Sequence, residues 1–283
     1  MYMKQVISGF ECIVLTEEAT QSRAVLCPER GGILIQLRLQ GEEILYLNDE
    51  TFADSTKNIR GGNPVLFPIC GPLPNNEYEM NRQTYSMKQH GFARNKPWEV
   101  IESSASKATL QLKDDEETRA QYPFQFCLQF TYELKDGTLH IYQTYENLSA
   151  DTMPFYAGFH PYFIGNHAQS TYTIPAARYW DYSDNETKPY TCELKELQIS
   201  DSKLFSGLTG SEASFKDSRY KLQVQYSDQF KWVVVWSEQS DEYICLEPWM
   251  AGPLGFDNNP EVIRLPAGKK LQAECSFSIK KLK

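Results

Sequence analysis

Residues 124–141 read FQFCLQFTYELKDGTLHI. Phe124, Phe126, Leu128, Phe130, Tyr132 and Leu134 alternate without a break with Gln125, Cys127, Gln129, Thr131 and Glu133. A period of two marks a strand buried on one face. Lys135-Asp136-Gly137 then supplies turn chemistry, and Leu139 and Ile141 resume the pattern, so this segment is a β-hairpin.

Working outward, the same period recurs on both sides. Upstream it appears in Ile33, Ile35, Leu37 and Leu39, and again in Ala108, Leu110 and Leu112. Downstream it appears in Leu222, Val224 and Tyr226, and in Phe230, Trp232, Val234 and Trp236. Tyr243, Cys245 and Glu247 share one face of a further strand, and Leu271, Ala273, Cys275, Phe277 and Ile279 give the clearest strand of all. Residues 114–121 (DDEETRAQ) read as a short helix or a charged loop, and 165–217 are only weakly periodic. No long 3.6-residue period occurs. Short strands with frequent turn signals predict an all-β sandwich or barrel. No linker, internal repeat or low-complexity tract divides the 283 residues, so one domain spanning 1–283 is expected.

Composition narrows the function. The formal net charge of -9 argues against nucleic-acid or anionic-membrane partners. The 17 Tyr and 15 Phe suit pleated sheets and also sugar-binding clefts. Seven cysteines, odd in number and without a C-x-x-C pair, predict neither a disulfide framework nor a structural zinc site. The N-terminal segment lacks a basic region followed by a long apolar run, and no apolar stretch reaches the length of a membrane helix, so a cytoplasmic location is expected.

One stretch departs from fold-building sequence: residues 59–98, IRGGNPVLFPICGPLPNNEYEMNRQTYSMKQHGFARNKPW. Four prolines keep its first half extended. Arg60-Gly61-Gly62 opens it and Gln89-His90-Gly91-Phe92-Ala93-Arg94 closes it. Glycine lets backbone approach a ligand, and arginine offers a rigid fork for oxygen-rich groups, so a binding site is expected here. Of four histidines, His140 lies in the hairpin and reads as structural, while His167 sits in a polar loop. His90 and His160 lie among glycine, aromatic and proline residues, and either a structural or a catalytic imidazole fits. Glu247 ends an apolar run and by alternation points with Cys245, where a carboxylate is costly unless paired or functional. Two histidines and a carboxylate could hold a metal, but helical H-x-x-x-H spacing is missing and none is expected. No Walker-type or G-x-G-x-x-G nucleotide motif is present.

Taken together, Arg60-Gly61-Gly62-Asn63-Pro64 with Phe67-Pro68, the Gln89–Arg94 motif, Phe159-His160-Pro161-Tyr162-Phe163 and Leu246-Glu247-Pro248 resemble the aldose 1-epimerase (galactose mutarotase) superfamily. The first two motifs are most similar to its glucose-6-phosphate 1-epimerase (hexose-6-phosphate mutarotase) branch. The resemblance implies a single-domain β-supersandwich and an isomerase that interconverts α and β anomers without a cofactor. By motif, Glu247 would take the anomeric hydroxyl proton and His160 would protonate the ring oxygen. His90 and Arg60 would bind sugar hydroxyls or steady developing charge, and Arg60, Gln89 and Arg94 resemble a hexose-6-phosphate site. An aspartate for sugar hydroxyls is expected at Asp181 or Asp217. Asn63 and the Pro72-Leu73-Pro74-Asn75-Asn76 insertion depart from that branch, and Phe159-His160-Pro161 is nearer to enzymes of free aldoses. The choice between hexose and hexose 6-phosphate therefore stays open. Two other classes fit less of the sequence. A non-catalytic carbohydrate-binding protein would not need both His160 and Glu247. A glycoside hydrolase would need Asp181 or Asp217 as a second carboxylate.

Overall fold

The computed structural model describes residues 3–256 and 259–282. The hairpin forms over Phe126–Lys135 and Thr138–Asn147, with Phe126 opposite Asn147 at one end and Lys135 opposite Thr138 at the other. Asp136 and Gly137 both take left-handed backbone, φ 52° and 72°. That geometry matches the right-handed twist of the flanking strands, which explains why Asp-Gly sits there. His140 lies on the outer face of this hairpin, its Nδ1 3.3 Å from Glu274.

The hairpin is part of an antiparallel sheet of eight strands. Thr138–Asn147 pairs with the twelve-residue strand Lys270–Lys281, and that strand pairs with Tyr220–Tyr226. A second eight-stranded sheet runs in the order Glu186–Pro189, Ala176–Asp181, Lys203–Leu208, Trp232–Trp236, Tyr243–Trp249, Gly158–Phe159, Val65–Leu66, with Tyr162–Ile164 also paired to Tyr243–Trp249. The first strands of the chain, Met3–Ile7 to Glu42–Glu43, make a five-stranded meander. The fold is all-β. Among the described residues α-helix is confined to Asp49–Ala53 and Glu116–Gln121, and no helix is long and apolar enough to cross a membrane. The ambiguous 114–121 segment is a helix because Asp115 and Thr118 cap each other reciprocally at its start.

The two large sheets share a core. Phe130 meets Phe159 at 5.9 Å and Phe163 meets Phe277 at 5.2 Å, ring to ring across the layers. Phe67, from the proline-rich stretch, packs on Phe92, Phe126 and Phe155. Burying such a ring contributes about 1.5–3 kcal/mol, which pins residues 59–98 to the sandwich. This stretch is not wholly loop. It holds the hairpin Glu77–Met80 with Gln83–Ser86, whose turn residues Asn81 and Arg82 are left-handed.

The weakly periodic 165–217 segment also contains strands, and their register defines a face. Trp180 lies opposite Leu204, Leu204 opposite Val234, and Val234 opposite Glu247. Directly opposed residues project to the same side. Asp181, Lys203, Val235 and Leu246 form the alternate row and project to the other side.

Candidate active site

Register brings the two motif residues together. Gly158 pairs with Trp249, and Tyr162 pairs with Cys245 on the same strand. Halfway between, His160 falls opposite Glu247. Pro161 interrupts the ladder there because it has no N–H to donate, and the His160 N–H bonds instead to the Pro64 carbonyl at 3.1 Å. The His160 Nε2 then stands 3.5 Å from Glu247 Oε1. Glu247 is 1% exposed and His160 9%. Glu247 Oε2 accepts the Trp249 indole N–H at 3.1 Å, and the His160 ring stacks on Tyr162 at 4.8 Å.

The pair opens into a cavity of about 470 Å³ walled also by Arg60, Gln89, His90, Arg94 and Trp236, within the usual size for a small-molecule site. The glycines of residues 59–98 make the approach possible. A Cβ on Gly91 (φ +69°) would overlap the Phe67 carbonyl, and one on Gly61 (φ +135°) would meet Leu47 Cα at 2.5 Å. His90 is itself left-handed at φ 68°, a conformation a non-glycine residue adopts at a cost and often at functional sites. Its Nδ1 accepts the Gly71 N–H at 3.0 Å, and its Nε2 lies 3.2 Å from the Gln89 side-chain amide.

Electrostatics separates the titrating groups. Burial pushes the Glu247 carboxyl well up, against the opposing pull of Trp249 and Arg94. Burial, helped by Arg94 and Arg60, brings His160 down to about 3. Burial and Arg94 likewise hold His90 well below its ordinary range. A buried carboxyl pushed up beside an imidazole pushed down gives a pair that holds one proton between two sites. Arg94 donates Nη2 to the Gln89 carbonyl at 3.0 Å, while its Nε, His160 Nδ1 and the Tyr182 hydroxyl are buried without hydrogen-bond partners. Buried polar atoms left this way at one cavity call for a polar ligand. Arg60 lies over the Trp236 ring, 5.5 Å from its centre.

His160, Cys245 and Glu247 also bring their donor atoms within 4.8 Å of one another, a set that zinc accepts. Arg60 and Arg94 wall the same space, however, and the field that disfavours a protonated His160 opposes a divalent cation as well. The residues fit a hydroxyl-rich or anionic ligand better.

The structure thus gathers Arg60, Gln89, His90, Arg94, His160 and Glu247 around one cavity and leaves Asp181 and Asp217 outside it. Asp181 projects to the opposite face of the sheet, where its oxygens accept from Lys203 at 2.5 Å and Lys188 at 3.0 Å. Asp217, in the turn between Glu212–Lys216 and Tyr220–Tyr226 of the other large sheet, accepts the Tyr220 N–H and pairs with Arg219 at 2.7 Å. These two aspartate expectations are corrected, since each carboxylate is already neutralised away from the site. Asp201 and Tyr182 reach the cavity instead. Tyr182 was legible in principle, because Arg178, Trp180 and Tyr182 continue a period of two. Asp201 carries no such signal. His167 is structural, its ring held between the Tyr172 hydroxyl at 2.7 Å and the Leu197 carbonyl at 2.9 Å.

Comparison with known proteins agrees with this architecture. The model of the aldose 1-epimerase family matches residues 12–278. The chromosomal LacX protein of Lactococcus lactis subsp. lactis is 26% identical over 257 residues, covering 77% of this chain and 82% of LacX. Among solved structures, the Slr1438 protein of Synechocystis sp. PCC 6803 is 32% identical with a TM-score of 0.91 over 96% of each chain. The galactose mutarotase related enzyme of Lactobacillus acidophilus is 25% identical with a TM-score of 0.78, over 96% of this chain and 99% of its own. With a family match over nearly its whole length and the motif residues convergent on one cavity, this chain belongs to the aldose 1-epimerase family.

Proposed function

We propose that this chain, working as one domain, exchanges the α and β anomers of an aldohexose by acid/base ring opening, without a cofactor. The observation that carries the reading is the His160–Glu247 pair, 3.5 Å apart in a cavity and shifted in opposite directions. These shifts favour the proton on Glu247. Passing it to His160 leaves a carboxylate to take the C1 hydroxyl proton and an imidazolium to give one to the ring oxygen. The C1–O5 bond breaks to the open aldehyde, rotation about C1–C2 presents the other face, and the reverse transfers close the ring. Acid and base exchange roles between the two directions, so the pair ends with the proton inventory it began with.

His90, neutral and donating from Nε2, and Arg60 and Arg94 bind sugar oxygens. Arg94 has no carboxylate within ion-pair distance among the described residues. With Arg60 it offers a charge-assisted grip for a 6-phosphate. Asp181 and Asp217, the second carboxylates a glycoside hydrolase was expected to use, lie outside the cavity, which leaves Asp201 as the other carboxylate lining it beside Glu247.

The test is exchange spectroscopy by NMR at anomeric equilibrium, with glucose, galactose and glucose 6-phosphate in parallel. Acceleration of one or more supports the reading, and preference for the phosphorylated sugar assigns the arginine pair to phosphate. Acceleration of none would leave a sugar-binding protein and overturn the enzyme reading.

A further inference from the structure

The face that carries the site continues past it. Along strand 176–181 and its C-terminal extension, Arg178, Trp180 and Tyr182 follow one another on the side of Glu247, and Trp232 lies opposite Trp249 on the neighbouring strands. Tyr182 and Pro72 wall the His160/Glu247 cavity and also a second cleft of about 690 Å³. The two clefts differ in character. The first is built of histidine, arginine and carboxylate. The second presents Trp180, Trp232 and Leu254, with Arg178, Ser206 and Glu261 around them. Glu261 accepts the Trp232 indole N–H, which fixes that ring. Arg178 is exposed and in no ion pair among the described residues. The Pro72-Leu73-Pro74 segment, part of the insertion that departs from the hexose-6-phosphate pattern, forms one wall.

We propose that the second cleft binds the non-reducing pyranose of a reducing disaccharide whose reducing-end ring occupies the His160/Glu247 cavity. This rests on the anomer-exchange reading. A lone hexose fits the first cavity and has no use for an adjoining aromatic cleft. A second pyranose supplies what that cleft selects. Its C–H face, slightly positive, meets the negative faces of aromatic rings. Its equatorial hydroxyls lie at the ring edge and can bond to the polar groups of the same cleft, Arg178, Ser206 and Glu261, an arrangement of apolar floor and few polar groups typical of ligand sites. The shared wall at Tyr182 and Pro72 places the two sites side by side, as one glycosidic bond requires.

The experiment measures anomer exchange of glucose, maltose, cellobiose and lactose by the wild type, Trp180→Ala and Trp180→Phe, with melting temperature and sedimentation of each protein. At least one disaccharide is expected to show a KM about fivefold below that of glucose, the worth of one aromatic contact. Trp180→Ala removes that advantage while glucose kcat/KM stays within about twofold, and Trp180→Phe keeps most of it. Equal KM values for glucose and all three disaccharides, or an advantage that survives Trp180→Ala, would overturn the proposal. So would a change of sedimenting mass in Trp180→Ala with the KM ratio unchanged, which assigns the cleft to a second copy of the chain. A protein that exchanges glucose without favouring any disaccharide sinks this inference alone. One that exchanges no sugar sinks the anomer-exchange reading and this inference with it.

Discussion

Gly71 donates its buried backbone N–H to His90 Nδ1 at 3.0 Å, and this bond fixes the state of the imidazole. Nδ1 can accept only when unprotonated, so the neutral ring carries its proton on Nε2, and the Gln89 amide then turns its oxygen rather than its nitrogen toward that atom. In the proposed function His90 is therefore a donor to sugar oxygen and not a titrating base. ¹⁵N NMR of labelled imidazoles is expected to show His90 in the Nε2–H form, unchanged across about pH 5–8. A protonated Nδ1, or titration within that range, would contradict the assignment. His90→Ala should also cost about 1–3 kcal/mol of stability, because the Gly71 N–H loses its acceptor.

Glu247 has its folded pKa raised above the ordinary value of 4.5. For such an acid the folded state holds the proton more tightly than the unfolded chain. The stability this gives is present at low pH and declines as pH rises above the unfolded value toward the folded one. Glu247→Gln removes that penalty. Its melting temperature relative to wild type should climb as the solution is taken from about pH 5 to pH 8, while anomer exchange falls by about 10²–10⁴-fold. A variant that kept full turnover would remove Glu247 from the mechanism.

The strands around these residues were legible because their two faces differ. Phe124 to Leu134 and Leu271 to Ile279 alternate core with solvent, and such a pattern reports itself. The sheet that carries the site is covered on one side and lined with site residues on the other. There the alternation blurs: Arg178, Trp180 and Tyr182 occupy one face, Tyr179 and the buried Asp181 the other. A buried ion pair in a strand, Asp181 with Lys203, looks like loop polarity when only sequence is read. That is why residues 165–217 read as only weakly periodic, and why the sequence could not separate Asp181 from Asp217 as the aspartate the resemblance implied. Glu247 was legible for the opposite reason, as one carboxylate closing an apolar run. Its distance from His160 was not, since it depends on the antiparallel register of two segments about ninety residues apart in sequence.

In the proposed function Arg94 acts on both the ligand and the acid/base pair. Burial is the main cause of both shifts, and the Arg94 guanidinium adds to it at His160 and opposes it at Glu247. Removing it in Arg94→Ala should move His160 up from about 3 toward its ordinary 6.5 and raise Glu247 further. Both apparent pKa values of the pair's bell-shaped rate profile then shift to higher pH. The same variant should weaken glucose 6-phosphate more than glucose, by about tenfold or more for one lost charge-assisted bond. A profile that does not move, measured as kcat/KM against pH, would show that the guanidinium does not sense the pair. Equal losses for the two sugars would take the phosphate away from Arg94.

Asp181 is the counter-case, a carboxylate whose work is structural. Burial alone would raise it, but Lys203, Ser183 and Lys188 outweigh burial and hold it below the usual 3.8. Lys203 is 3% exposed, so Asp181→Ala leaves a cation stranded under the sheet, a loss of about 3–5 kcal/mol. With a lowered folded pKa, the carboxylate stabilises the fold above its unfolded value and loses that effect as pH falls through the folded one. The gap in melting temperature between wild type and Asp181→Ala should therefore be widest at neutral pH and close as the solution is acidified below about pH 4. KM for the sugar should stay unchanged, because the side chain faces away from the cavity. An Asp181→Ala protein with wild-type stability and a raised KM would reverse this assignment and return Asp181 to the sugar site.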